Sequence, residues 1–130
     1  MSLNYKGQNL FIDNISIKGI ANKNNTPFYV YSYKKIKDNF ETFCSYFKKV
    51  SPLVCFSVKS NSNVSILTEL GKLGSGADVV SEGELLKALK AKINPKKIVF
   101  SGVGKTDSEL RLAIKKEFCL LMLSLKVKHY

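Results

Sequence analysis

Strand-like apolar runs recur at a regular spacing along the second part of the chain, and a helix-like pattern follows each of the first three. The runs span residues 53–58, 77–81, 97–101 and 118–125. Their starts, near residues 53, 77, 98 and 119, lie 24, 21 and 21 residues apart. Alternation of strands and helices with short loops predicts a parallel sheet. A doubly wound sheet and a (β/α)8 barrel both give this pattern, and the even spacing favours the barrel.

The residues before these runs follow a different pattern. Partial alternation over residues 10–20 predicts one or two short strands, and the sequence FYVYS at 28–32 is also strand-like. A polar connector between them suits a turn. Four apolar residues then recur at helical intervals and predict a helix over residues 33–48; they are Ile36, Phe40, Phe43 and Phe47.

Start signals mark the helices that follow the strand-like runs. The segment 63–74 carries its apolar residues on one side of a helix. Ser81 and Glu84 have the spacing of a capping box, in which the two side chains bond each other's backbone N–H groups. Thr106 and Glu109 repeat that spacing and predict the start of the next helix.

The segment IVFSGVGKT, residues 98–106, ends in letters typical of a nucleotide-binding loop. Counted back from Gly104, the first glycine of a P-loop would stand at position 99, where the chain has Val99 inside a strand-like run. The loop is therefore too short to wrap a phosphate chain. We interpret it as a tight turn in which Gly102 and Gly104 give the backbone freedom.

Charge and hydropathy restrict the partners of the chain. The net charge is +11, and 20 of the 21 basic residues are Lys. They are scattered and accompany no recognition motif, so a solvated surface that also suits an acidic ligand explains them better than nucleic-acid binding. The chain lacks a run of 18 apolar residues, so no membrane-spanning helix is expected.

The three cysteines, Cys44, Cys55 and Cys119, have no metal-ligand spacing and lie among apolar residues. This pattern predicts buried free thiols in a reducing cytoplasm and no metal site. His129, the single histidine, has no evident partner.

In either parallel architecture, the ligand site lies where the strands end. Lys59 follows the first run, Asp78 lies in the second, and Ser101 ends the third. A lysine at the end of a buried strand is partly desolvated, which favours the neutral amine and makes Lys59 a candidate for Schiff-base formation. The alternative is that Lys59 simply reaches solvent from the strand end.

Three segments together resemble the diaminopimelate decarboxylase family of alanine-racemase-like pyridoxal-phosphate enzymes. They are CFSVKSNSN from residue 55, LGSGADVVSEGEL from residue 73 and IVFSGVGKTDSEL from residue 98. The resemblance starts near residue 10 and ends at about Lys116. It implies that residues 31–130 form the N-terminal part of a (β/α)8 barrel, with about four strands. It also implies that residues 1–30 are a short β segment of the family's second domain.

The resemblance also implies roles. Lys59 matches the lysine that binds pyridoxal 5'-phosphate covalently, and Asp78 matches an acidic residue near the cofactor that helps to keep a nearby ammonium or pyridinium charged. Glu84 matches a glutamate at the start of the next helix. The implied reaction removes one carboxylate of meso-diaminopimelate as CO2 and leaves L-lysine, in cytoplasmic lysine biosynthesis. The implied partners are a small amino-acid substrate and a second subunit of a homodimer, without nucleic acid or membrane.

Length limits what this chain does alone. A (β/α)8 barrel needs about 250 residues, so we expect a fragment that does not decarboxylate by itself. The end, EFCLLMLSLKVKHY, departs from the family pattern. Our hypothesis is a frameshift or premature stop after about Lys116, against a gene-model boundary; an intact source frame with no downstream barrel sequence would contradict it. An open fourth strand also predicts aggregation or a partner.

Three alternatives stay open at this point. One is a related decarboxylase of another amino acid or of a carboxylated polyamine, because the substrate-selecting residues lie mostly beyond residue 130. Another is a non-catalytic protein that binds pyridoxal phosphate. A basic nucleic-acid module is the third, and it would show steeply salt-dependent binding.

Overall fold

The computed structural model describes residues 3–116 and the backbone of 120–121. It contains a three-stranded antiparallel sheet and a four-stranded parallel sheet. The strands are β1 (Leu3–Lys6), β2 (Asn9–Ile12), β3 (Ile15–Ser16), β4 (Cys55–Ser57), β5 (Gly76–Val79), β6 (Ile98–Phe100) and β7 (Leu120–Leu121). The α-helices are α1 (Ile17–Ala21), α2 (Tyr33–Tyr46), α3 (Val64–Lys72), α4 (Glu82–Lys90) and α5 (Asp107–Lys115). Short 3-10 helices span Val58–Ser60 and Pro95–Lys97.

The chain divides into two compact units, Met1–Tyr46 and Phe47–Tyr130. In the first unit, Asp13 and Asn14 join β2 to β3 with φ angles of 47° and 67°. A two-residue hairpin turn of type I′ needs positive φ at both positions, which Asp and Asn tolerate well. Ser32 starts α2 by accepting the backbone N–H of the helix's third residue, and its hydroxyl also donates to the Asp13 carboxylate. That bond ties the hairpin to the helix.

The strand predicted at 28–32 is absent. Tyr29 is 90% exposed, and its ring stacks on Tyr31 with centroids 6.4 Å apart, so these aromatic residues meet each other and not a partner strand. The prediction also missed β1, a four-residue strand whose residues are all exposed. The helix predicted over 33–48 is present as α2, two residues shorter.

In the second unit, the predicted parallel sheet is confirmed. Strands β4 to β7 lie side by side in chain order. Successive strands of a (β/α) barrel have this order, whereas a doubly wound sheet reverses its order at a switch point. Each of the first three strands is shorter than predicted. The fourth is seen as β7, and the rest of 118–125 lies outside the described residues.

One face of this sheet is buried under the helices. The strand residues on that face are fully buried; they are Ala77, Val79, Ile98 and Phe100. Leu67 of α3 and Leu85 of α4 pack into the same core. Because successive side chains of a strand point to opposite faces, Asp78 and Val99 lie on the other face, and both are half-buried.

The cysteines are less buried than predicted. Cys44 and Cys55 are both only half-buried. For Cys44 the reason is that α2 buries none of its residues. Cys119 and His129 lie outside the described residues. Along the described part of the chain, no helix combines the length and the apolar content that crossing a membrane requires.

Leu67→Ala tests the core. The side chain is fully buried, so we expect the free energy of unfolding to fall by about 2–5 kcal/mol. Leu86→Ala is the matched control, because Leu86 is 52% exposed on α4, and we expect a change within about 0.5 kcal/mol. Urea denaturation of both variants measures the difference, and equal losses would contradict the assignment of this core.

Candidate functional site

The residues predicted to form a site follow neighbouring strands at one edge of the parallel sheet. The register pairs Ser57 of β4 with Asp78 of β5, and Asp78 with Val99 of β6. Lys59 comes two residues after Ser57, in the 3-10 helix that continues β4. Asp78 therefore lies on the strand next to the one that Lys59 follows.

The predicted desolvation of Lys59 is wrong, because its side chain is exposed. β4 ends at Ser57, and the chain turns at once into a 3-10 helix in which Val58 is fully buried and Lys59 is exposed. The backbone turn thus directs the amine to solvent, where a ligand has access to it. Burial therefore does not activate this amine in the structure, and any special reactivity must come from what lies beside it.

The polar loop after Lys59 has a structural function. Ser60 Oγ donates to the Ser57 carbonyl at 2.7 Å, which closes the 3-10 turn. Asn61 Oδ1 accepts the Asn63 N–H at 3.0 Å, and the Asn63 side chain caps α3. Lys87 of α4 donates to the hydroxyl of Ser62 at 2.8 Å. These bonds fix the path of the loop that carries Lys59.

Asp78 has a side-chain partner on the neighbouring strand end. The hydroxyl of Ser101 donates to Asp78 Oδ1 at 2.5 Å, and both residues are half-buried. The sequence placed Ser101 at this edge, but it gave no sign of the bond, because the bond depends on the register of β5 against β6.

Glu84 stabilises the start of α4. Ser81 is the N-cap and accepts the Glu84 N–H at 3.3 Å, as the predicted capping box requires. The Glu84 carboxylate, however, accepts the N–H of Val80 at 2.9 Å, one residue before the cap. The reciprocal bond of the box is displaced by one residue, and the carboxylate is engaged with the backbone.

Glu109 joins two loops at the same edge. The capping box of α5 with Thr106 is present as predicted. One carboxylate oxygen of Glu109 accepts the Thr106 N–H at 2.8 Å, and the other accepts the N–H of Glu82, the first residue of α4, at 2.8 Å. These two backbone hydrogen bonds lower the pKa of Glu109 below its usual value, and the bond from Thr106 has the larger effect. Sequence spacing predicted the first bond and missed the second.

The lysine of the GVGKT turn, Lys105, bonds within the turn itself. Lys105 donates to the Gly102 carbonyl, and its ammonium lies 5.1 Å from the centre of the Phe100 ring. A phosphate-binding lysine would instead point towards a nucleotide. Gly102 is needed for close packing, since a Cβ there would collide with the backbone of Val80. Neither Gly102 nor Gly104 has the positive φ that the expected backbone freedom would require.

The donor set at this edge fits pyridoxal phosphate. An aldehyde needs an accessible primary amine, which Lys59 supplies. The carboxylate of Asp78 suits a neighbouring positive nitrogen, and the net charge of +11 suits an anionic phosphate. In the part of the chain that the structure describes, no cluster of three or more His, Cys, Asp and Glu side chains is arranged to hold a metal ion.

Comparisons with known proteins identify the family of this chain. A family model described as "Pyridoxal-dependent decarboxylase, pyridoxal binding domain" matches residues 33–124. A diaminopimelate decarboxylase from Pseudomonas fluorescens is 44% identical over 114 residues, which cover 88% of this chain and 27% of that protein. The enzyme from Helicobacter pylori is 54% identical over 90 residues, 69% of this chain and 22% of that protein.

The fold has the same relatives. The crystal structure of diaminopimelate decarboxylase from M. jannaschii superposes with a TM-score of 0.88 at 36% identity, over 92% of this chain and 29% of that chain. This match, with the strand order, confirms the predicted architecture of the N-terminal part of a pyridoxal-binding barrel. The chain spans about 27% of the length of the Pseudomonas fluorescens protein that it matches.

Gly102→Ala tests the packing at the sheet edge. The new Cβ would lie 2.9 Å from Val80 Cα and still closer to the Val80 carbonyl oxygen, which are backbone atoms that move only with β5. We expect a loss of about 1–3 kcal/mol in the free energy of unfolding. Gly104→Ala is the control, because nothing lies within 4 Å of its Cβ position. Similar unfolding midpoints for the two variants would contradict the close approach.

Glu109→Gln tests the bond between the loops. The pKa of Glu109 is lowered on folding from its usual 4.5, because backbone N–H groups of Thr106 and Glu82 bond the carboxylate. The ionised group therefore stabilises the fold fully above about pH 4.5, and this contribution is lost as the pH falls towards the lower folded value. We expect the stability difference between native chain and variant to shrink below pH 4.5. Urea denaturation at pH 7 and pH 3 measures it, and a difference that does not change with pH would overturn this account.

Proposed function

Because this chain belongs to the pyridoxal-dependent decarboxylase family, we propose that it supplies the covalent anchor for pyridoxal 5'-phosphate in a decarboxylase of meso-diaminopimelate. The observation that carries the proposal is the placement of Lys59. Lys59 follows β4, the neighbour of the strand β5 that carries Asp78, and its side chain is exposed. This is the edge of the sheet at which parallel barrels bind their ligands. Family membership rests on the match to residues 33–124.

The residues of this chain take the following roles in the proposal. Lys59 Nζ would hold the cofactor through a covalent bond to its aldehyde carbon. The Asp78 carboxylate stabilises positive charge on a neighbouring nitrogen. The bound cofactor supplies a ring that accepts the electron pair released as CO2 departs. Glu84 and Glu109 keep the two adjacent loops in place through backbone bonds.

The relatives favour diaminopimelate over the other substrates. Curated proteins from several bacteria that match this chain are named diaminopimelate decarboxylases. Two related crystal structures, from M. jannaschii and Helicobacter pylori, contain L-lysine. Loss of one carboxylate as CO2 converts diaminopimelate into lysine, so lysine is the product that such a site would release. We therefore propose the decarboxylation of diaminopimelate as a step of lysine biosynthesis.

The setting of the complete enzyme is also a proposal. The family model begins at residue 33, which supports a division into a β segment at 1–30 and a barrel part at 31–130. The free thiol of Cys44 suits a reducing cytoplasm, which we propose as the location of the enzyme. As the resemblance implies, we propose that the complete enzyme is a homodimer.

Reductive trapping tests the anchor. The purified chain is mixed with pyridoxal phosphate, its absorbance spectrum is recorded, and borohydride then fixes the adduct for mass mapping. We expect the label mainly on Lys59, although the chain contains 20 lysines. Lys59→Ala should abolish the visible band, while Lys90→Ala, a lysine in the last turn of α4, should preserve it. Labels scattered over many lysines would reject the proposed anchor.

A chimera tests the reaction. Residues 33–116 of this chain replace the matching segment of the M. jannaschii diaminopimelate decarboxylase. We expect the chimera to release CO2 from meso-diaminopimelate and to lose this activity with Lys59→Ala, because no other residue holds the cofactor covalently. A folded chimera that binds the cofactor but decarboxylates only another amino acid would favour the alternative substrate class.

A further inference from the structure

We propose that Ser101 is a positioning residue that orients the Asp78 carboxylate towards the cofactor side of the sheet edge. The inference rests on the proposed function, since it gives Asp78 its partner within that site. Ser101 does not touch the reacting atoms in this account, and it acts only through Asp78.

The geometry of the bond is that of an oriented carboxylate. The Ser101 hydroxyl donates to Asp78 Oδ1 at 2.5 Å, within the range of about 2.5–2.7 Å for a hydroxyl bonded to a carboxylate. Such charge-assisted bonds are shorter than neutral ones and about twice as strong. Both side chains are half-buried, so water competes less for this bond than it would at the surface.

Ser101 is itself held in place. Its backbone N–H donates to the Val79 carbonyl at 3.0 Å, which extends the β5–β6 ladder beyond the last paired residues. The next residue, Gly102, packs so closely on Val80 that any Cβ would collide with the backbone there. The position of the Ser101 hydroxyl is thus fixed by backbone contacts at the end of β6.

Two other polar side chains at this edge form hydrogen bonds to the backbone and not to Asp78. Glu84 accepts the backbone N–H of Val80, and Lys105 donates to the Gly102 carbonyl. Within the described residues, Ser101 is the side chain seen bonded to Asp78. With Oδ1 bonded to Ser101, the Asp78 carboxylate is held in one orientation, and Oδ2 is the oxygen that remains for a positive nitrogen beside Lys59.

Two isosteric variants separate the hydroxyl from the shape of the side chain. Ser101→Thr keeps a hydroxyl, while Ser101→Val has the same branched shape without one. We expect Ser101→Val to weaken binding of pyridoxal phosphate by about tenfold or more, as loss of a hydrogen bond to a charged group would. We expect Ser101→Thr to stay within about twofold of the native chain. Binding is measured by absorbance titration, with the Lys59 share of the trapped label as a second readout.

A double-mutant cycle shows whether Ser101 acts through Asp78. In an Asp78→Ala background, Ser101→Val should have no further effect on cofactor binding. An equal effect in both backgrounds, or a Thr variant as weak as the Val variant, would overturn the proposal. Thermal unfolding checks that each variant folds, and Ser101→Ala replaces Ser101→Val if the branched side chain prevents folding.

The native chain in the same titration separates the two proposals. If it forms no adduct at Lys59, the proposed function fails and this inference falls with it. If it forms the adduct and the hydroxyl-free variant binds equally well, the proposed function stands and the role of Ser101 is rejected.

Discussion

The pleat of the parallel sheet determines every other feature of the site. Val79 and Phe100 are fully buried against the helices, so Asp78, between buried neighbours on β5, must face the opposite way. A slip of one residue would place the Asp78 carboxylate in the apolar core, where an unpaired charge costs several kcal/mol. Packing of the core therefore strongly specifies the register that pairs Ser57 with Asp78. The same packing fixes the positions of the residues at the candidate site.

The acidic residues at this edge divide into two kinds. Glu84 and Glu109 accept backbone N–H groups at the starts of helices, and the lowered pKa of Glu109 follows from such bonds to Thr106 and Glu82. A carboxylate that closes a helix start is committed to holding the loop. Asp78 differs, because its bond comes from a side-chain hydroxyl, and its carboxylate lies on the face of the sheet opposite the helices. The two glutamates fix the loops through backbone bonds, and in the proposed function this leaves Asp78 to interact with the cofactor.

Local patterns predicted local features, and they failed where distant segments meet. Strand spacing located the parallel sheet, and the capping-box spacing located the start of α5 at Thr106. The strand-like FYVYS has no partner strand, which no local pattern reveals. The bond from Ser101 to Asp78 and that from Glu82 to Glu109 join residues 23 and 27 positions apart. They depend on register and on the placement of adjacent helices, so a single sequence gives no signal for them.

Lys59 shows why position matters more than local environment. The sequence suggested that burial at a strand end would make this amine special, but the 3-10 turn after Ser57 exposes it. Exposure alone does not distinguish Lys59 from many other lysines on a chain of charge +11. What distinguishes it is its place after β4, beside the strand that carries Asp78, at the edge where parallel strands end. In the proposed function, the choice of Lys59 over the other lysines depends on neighbours whose own positions are fixed by the sheet. The selectivity that we propose for this amine is therefore a property of the register and not of the lysine.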